Sequence, residues 1–338
     1  MIFTPERRAR LTSWLEQRWY GRVRVPWYLL LLSGLYRIVT GLRRLAYRLS
    51  IFHRVRLSVP VLVIGNLTLG GTGKTPLTEV LVKALAARGW RPGIVLRGYG
   101  GRERGPHTLG PDDDAARVGD EALLLARSTR VPVAVGADRA AAALQLIEQA
   151  GVNLIVADDG LQHLRLARDV EVLVIDGRRR FGNRRVLPAG PLREPIGRLK
   201  SLPIRVVNGG SPQEGEVPMR VQPVALRELA SGQRHPPDAL RGQRAHAVAG
   251  IGDPERYFLT LDELGVKIQR HPFPDHHVFR TEDFAFSDGQ PVIVTEKDAV
   301  KLAGLNLPPK LLVLEVRVGI PAPLIERIDA ELRAARPS

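Results

Sequence analysis

The chain has 338 residues, 50 Lys and Arg against 35 Asp and Glu, a formal net charge of +15 and no cysteine. That length suits one large or two ordinary domains, and two are expected. The charge calls for anionic partners such as nucleic acid, acidic lipid or a phosphorylated substrate, and the missing thiols exclude disulfides and thiolate-bound metals.

Residues 1–60 hold 12 arginines, no lysine and only Glu6 and Glu16 as acids. Positions 26–49 read as a helix with Pro26 in its first turn. At 100° per residue, Trp27, Leu31, Leu35, Ile38, Leu42, Leu45 and Leu49 fall within an arc of about 80°, with Arg37, Arg44 and Arg48 on the adjoining flank. The longest uncharged run, positions 25–36, is 12 residues, short of the roughly 18–20 that span a bilayer. Residues 1–56 are therefore expected to lie on a membrane, with Trp14, Trp19, Trp27 and Tyr28 at the headgroup level and the arginines on anionic lipid. The same stripe also describes a helix docked on the protein's own core. A signal peptide is disfavoured, since the apolar run starts late and no Ala-x-Ala site follows it.

Positions 60–76 read Pro-Val-Leu-Val-Ile-Gly-Asn-Leu-Thr-Leu-Gly-Gly-Thr-Gly-Lys-Thr-Pro. Val61, Val63 and Ile64 suit a buried strand, Gly70, Gly71 and Gly73 a tight turn, and Lys74-Thr75 open a helix. Thr68, Leu69, Gly70, Gly71, Thr72, Gly73, Lys74 and Thr75 are thus read as a phosphate-binding loop. Its N–H groups suit anionic oxygens, Lys74 the terminal phosphates and the Thr75 hydroxyl Mg²⁺. Thr68 stands where the generic pattern has its first glycine.

The next helix carries Leu77, Val80, Leu81, Ala84 and Leu85 on one face and is stopped by Gly89. A strand at 93–97 leads into the flexible Gly98-Tyr99-Gly100-Gly101. There follow a helix from about 120, a strand at 131–135, an alanine-rich helix from 138, and strands at 153–157, 170–175 and 205–207. This alternation predicts an α/β fold over 57–210, a mainly parallel sheet with helices on both faces and ligands at the C-terminal strand ends. Residues 211–244 are turn-rich, hold at most a strand at 219–226, and are expected to link to a second, smaller α/β lobe at 245–338.

Two apolar strands end in acid near the loop, one at Asp158-Asp159 and one at Asp176. The first is favoured as partner of Mg²⁺, because Asp158-Asp159-Gly-Leu-Gln162-His163 packs two carboxylates, an amide and an imidazole into one turn, whereas Asp176 before Gly177 suits a turn start. Asp120 stands where a helix begins and reads as an N-cap or as an acid for chemistry. Asp275-His276-His277 sets imidazole beside carboxylate, with no further residue at a spacing that favours zinc. Thr295-Glu-Lys-Asp298 either contacts nucleotide or substrate phosphate, or caps a helix.

These motifs together resemble the tetraacyldisaccharide 4′-kinase family of the lipid A pathway, nearly end to end. The residues that carry the resemblance are Gly65 through Pro76 with Thr68, Arg97-Gly-Tyr-Gly100, Gly119-Asp-Glu121, Asp158-Asp-Gly-Leu-Gln-His163, Leu187-Pro-Ala-Gly-Pro-Leu-Arg-Glu-Pro195, Gly250-Ile-Gly-Asp-Pro254, Asp275-His276 and Thr295-Glu-Lys-Asp-Ala-Val-Lys301. The resemblance implies two α/β/α lobes joined by a two-stranded linker, ATP and Mg²⁺ at the loop, and phosphoryl transfer to the 4′-hydroxyl of an acylated glucosamine disaccharide 1-phosphate at the cytoplasmic face of a bacterial inner membrane. It further implies Asp120 with His276 as catalytic dyad, Asp120 taking the hydroxyl proton, and Asp158, Asp159, Gln162 and Glu194 lining the metal and phosphate region. The competing reading is a membrane-surface regulatory ATPase or GTPase. Leu69, where partitioning ATPases carry a lysine, argues against it. Nucleic-acid binding is disfavoured because only 5% of residues are aromatic and the arginines coincide with an apolar helix.

Overall fold

A computed structural model describes residues 5–335; residues 1–4 and 336–338, the ends of the outermost expected segments, lie outside the described residues. Two N-terminal helices, α1 (Pro5–Tyr20) and α2 (Trp27–Arg48), precede the sheet. The first lobe then alternates β1 (Val61–Gly65), α3 (Lys74–Ala86), β2 (Pro92–Leu96), the edge pair β3 (His107–Thr108), α4 (Ala115–Val118), α5 (Asp120–Thr129), β4 (Val133–Val135), α6 (Arg139–Ala150), β5 (Leu154–Ala157), β6 (Val170–Asp176) and β7 (Ile204–Asn208). Local signals set most of these boundaries: Asp138 caps α6 by accepting from the Ala140 and Ala141 amides, and Gly151 ends it in the left-handed region. The strands run parallel in the order β7-β6-β1-β5-β2-β4, with β3 antiparallel at the edge. Apolar clusters line both faces, one beneath α3 and α5, the other beneath α6.

The turn-rich 211–244 stretch holds more than a short strand. It contains β8 (Glu216–Glu228), whose start pairs parallel with β7 and whose remainder pairs antiparallel with β13 (Leu311–Gly319). Pro218 and Pro223 and alternating exposure hid it from a reading that seeks apolar runs. Beyond the short β9 (Arg234–His235) come β10 (Arg244–Ala249), α7 (Pro254–Glu263), β11 (Lys267–Pro272), β12 (Val292–Thr295) and α8 (Glu296–Ala299), so the sheet continues β8-β13-β12-β10-β11. The closing helix, α9 (Ala322–Ala334), does not pack on this second lobe. Leu324, Ile328 and Leu332 join the core beneath α3, and Asp329 accepts from Trp90 Nε1 at 2.7 Å.

The stripe of α2 is not docked on the protein's own core. Trp27, Leu31, Leu35, Ile38, Leu42 and Leu45 are all exposed, as is Leu49 just beyond the helix. The opposite face docks instead, through Leu29, through Ser33 Oγ donating to the Val186 carbonyl at 2.8 Å, and through Tyr36 Oη donating to the Arg193 carbonyl at 3.0 Å. Two expected headgroup contacts are corrected. Trp19 is buried, with its Nε1 donating to the Pro188 carbonyl, and Arg44 is paired with Glu194 at 2.8 Å. No described helix is long and apolar enough to cross a membrane.

Candidate active site

The phosphate loop joins β1 to α3, and at Gly73 the backbone takes φ 90°, open to glycine alone without strain. Asn208, ending β7, donates from Nδ2 to the Thr72 carbonyl at 3.1 Å and steadies the loop from two strands away. The loop's entry is braced by the 187–195 segment, Leu69 N donating to the Pro191 carbonyl and Arg193 N to the Leu67 carbonyl. From the second lobe, Gly252 packs so closely that an added Cβ would lie 2.9 Å from the Gly71 nitrogen.

Both acidic strand ends flank the loop, because β5 and β6 pair with β1 on either side. Their partners tell them apart. Asp158 Oδ2 accepts from Thr75 Oγ1 at 3.3 Å, and burial together with the Glu121 charge pushes its pKa up to about 7. Asp176 takes the Arg178 and Arg179 amides in a turn and binds Arg256 of α7 at 2.9 Å. Asp159, at φ 49°, accepts from Arg193 at 2.9 Å and lies 3.7 Å from Lys74 Nζ. Burial works to raise its pKa, but Lys74 and Arg193 outweigh it and hold it at about 2. Gln162 Nε2 donates to the Asn66 carbonyl and to Glu194 Oε1, both at 3.1 Å. Glu194 is buried between Arg44 and Arg198 and does not line the cleft, whereas Gln162 and Arg193 do.

Among the described residues no group of three or more His, Cys, Asp and Glu is arranged to hold a metal by itself. A hydroxyl and a buried, incompletely compensated carboxylate side by side nevertheless suit Mg²⁺, which takes hard oxygen ligands and completes its shell with phosphate and water. Thr75 and Asp158 fit that requirement.

Across a cleft of ≈ 2440 Å³ that includes the phosphate loop, His276 Nδ1 lies 2.9 and 3.1 Å from the two Asp120 oxygens. Asp120 is not the cap of α5: Gly119 occupies that position, and the Asp120 carboxylate turns toward the other lobe. Its burial would raise its pKa, but the His276 hydrogen bond, Lys297 and Lys301 outweigh that and lower it. His276 rather than Asp120 lines the cleft, its backbone at φ 61° and its ring 4.7 Å from that of Tyr99. In Thr295-Glu-Lys-Asp298, Thr295 does cap α8, its Oγ1 accepting from Asp298 N, while the Asp298 carboxylate accepts from Gly250 N and pairs with Lys301. Lys297 bridges the lobes, 3.2 Å from Glu121 and 3.1 Å from Asp275.

The model of the tetraacyldisaccharide-1-phosphate 4′-kinase family matches residues 25–333. The chain belongs to that family. Similar curated relatives carry the name tetraacyldisaccharide 4′-kinase: one from Nitrosococcus oceani is 50% identical over 291 residues, 86% of each chain. One from Halorhodospira halophila is 50% identical over 307 residues, 90% of this chain and 91% of its own. The crystal structure of LpxK from Aquifex aeolicus in complex with ATP superposes with a TM-score of 0.74 at 26% identity, covering 90% of this chain and 97% of that one. Membership of the 4′-kinase family sets the regulatory-NTPase reading aside.

Two positions in this kinase carried no local signal. Arg139, buried in the first turn of α6, donates to the Asp159 carbonyl at 2.7 Å, and Asn208 holds Thr72; each acts on residues far away in sequence. Glu296, inside a motif that was read, does something unforeseen. It accepts from Val316 N at 3.1 Å, and burial with the Glu79 and Glu315 charges pushes its pKa up to about 7. A carboxyl with a folded pKa above its unfolded value lowers stability as pH rises from about 4.5 to 7, where the unfolded chain releases the proton first. Glu296→Gln should remove that penalty, so thermal denaturation should show a Tm gain over wild type at pH 8 that disappears near pH 4.5. An equal gain at both would refute the assignment.

Proposed function

We propose that the chain transfers the γ-phosphoryl group of ATP, with Mg²⁺, to the 4′-hydroxyl of a tetraacylated glucosamine disaccharide 1-phosphate while lying on the cytoplasmic face of the bacterial inner membrane. The observation that carries the site assignment is the facing of the phosphate loop and the Asp120–His276 pair across one cleft. Lys74 and the loop amides orient the triphosphate, and Thr75 and Asp158 hold the cation, with Asp159, Gln162 and Glu194 shaping the ground around them. A Mg²⁺ ion held by Thr75 and Asp158 would supply charge neutralisation for the transferring phosphate. Asp120 and His276 accept the hydroxyl proton as a unit. Asp120 supplies the negative charge and His276 the surface that the cleft presents, so the proton ends in an imidazolium–carboxylate ion pair. The sequence-based expectation gave the proton to Asp120 alone.

In this reading residues 57–210, completed by α9, form the nucleotide lobe. Residues 245–310 form the second lobe, with β8 and β13 between the two lobes as the two-stranded connection. Incubating the pure protein with labelled ATP and the disaccharide 1-phosphate, then locating the label, tests the function: label on the 4′-oxygen is expected, and free phosphate alone would overturn it. The exposed stripe of α2, with Arg37, Arg43 and Arg48 also exposed, supports the membrane surface as partner. Replacing those three arginines by Gln should weaken attachment to anionic vesicles by about 1 kcal/mol per residue. Unchanged sedimentation at low salt would remove the arginines from the lipid contact.

A further inference from the structure

The helix with the exposed apolar stripe also reaches into the site through its other face. Arg44 Nη1 lies 2.8 Å from Glu194 Oε2, with side chains about 24% and 7% exposed. The other Glu194 oxygen accepts from Gln162 Nε2 at 3.1 Å. One residue earlier, Tyr36 Oη donates to the Arg193 carbonyl at 3.0 Å, while the Arg193 guanidinium holds both Asp159 oxygens at 2.9 Å and Gln162 Oε1 at 3.3 Å. Two side chains of α2 thus grip consecutive residues whose own side chains fix Gln162 and Asp159 beside Lys74 and Asp158.

We infer that Arg44, assisted by Tyr36, is a positioning residue for phosphoryl transfer, so that α2 is a structural part of the active site as well as a membrane-facing element. Without Arg44, the buried Glu194 keeps Arg198 as its remaining cation, 3.6 Å away on the same oxygen, Oε2. The carboxylate then turns toward Arg198 and loosens its hold on Gln162. Displacements of this size around a reacting phosphate cost rate without unfolding the protein, since about 1 Å of misplacement costs up to 10²-fold. The inference rests on the proposed roles of Asp159 and Gln162, and it separates them from anchoring: a helix that only anchors is dispensable once the lipid is dispersed.

The test uses the full chain with the disaccharide 1-phosphate dispersed in detergent and both substrates saturating. Arg44→Gln is expected to lower kcat by about 10- to 100-fold while the KM for ATP stays within about threefold and sedimentation with anionic vesicles matches wild type. Arg44→Lys should recover part of the loss by restoring the charge. Tyr36→Phe, which removes one hydroxyl, should lower kcat by a smaller factor and guards against misfolding of the arginine variants. Wild-type kcat in Arg44→Gln, or a loss that merely tracks vesicle binding, would overturn the inference, as would wild-type kcat in both milder variants if Arg44→Gln fails to fold. A wild-type chain that transfers nothing would instead overturn the proposed function and the inference with it.

Discussion

Lys74→Ala is expected to fold normally and to lose transfer by about 10³-fold or more at saturating ATP. In phosphoryl transfer the protein contributes positioning and charge rather than covalent chemistry, so a cation aimed at the transferring group accounts for much of the rate. Lys74 opens α3 directly after Gly73, and its Nζ lies 3.7 Å from Asp159, pointing into the loop and not into a core. Its removal leaves Asp159 paired with Arg193 at 2.9 Å, and Asp158, whose pKa is pushed up to about 7 even with Lys74 nearby, can take up a proton in place of the lost cation, so the fold is retained. Steady-state transfer beside thermal denaturation decides the matter. A variant with near-normal turnover would mean that this loop does not hold the triphosphate, and one that fails to fold would mean that Lys74 is structural.

Removing either member of the Asp120–His276 pair should lower kcat by about 10²–10⁴, the usual worth of general-base catalysis, with little change in ATP affinity. Asp120→Asn is the cleaner change, since it keeps the shape and leaves Lys297 its contacts with Glu121 and Asp275 and Lys301 its contact with Asp298. The pair spans the two lobes. In the structure it is joined, in register with the Lys297 bridge and with Gly252 against Gly71. Opening the lobes would therefore break the proposed dyad and the bridge together. The double variant should be scarcely slower than the slower single one, because residues acting as a unit are non-additive. Losses that multiply in the double variant would separate the two roles and return the base to the Asp158–Asp159 turn.

What the sequence determined by itself was whatever depends on neighbours along the chain. The strand, glycines and Lys-Thr of the phosphate loop, the cap at Asp138, the stop at Gly89 and the amphipathic stripe of α2 are each enforced by backbone dihedrals or by a 3.6-residue repeat within one segment. The tertiary structure decided every question whose answer lies on another segment. Asp158 and Asp176 end equivalent strands on either side of β1, and only the Thr75 hydroxyl against one and Arg256 against the other distinguishes them. Trp19 and Arg44 look like lipid-facing residues in a helical projection, yet Pro188 and Glu194 claim them. α9 has an apolar face that would suit either lobe, and it lies on the first because β13 delivers it beneath α3. Periodicity states that a face must be covered, but which partner covers it is set by the long-range pairing of β8 and β13, where contacts form between residues some ninety positions apart and no local pattern records them.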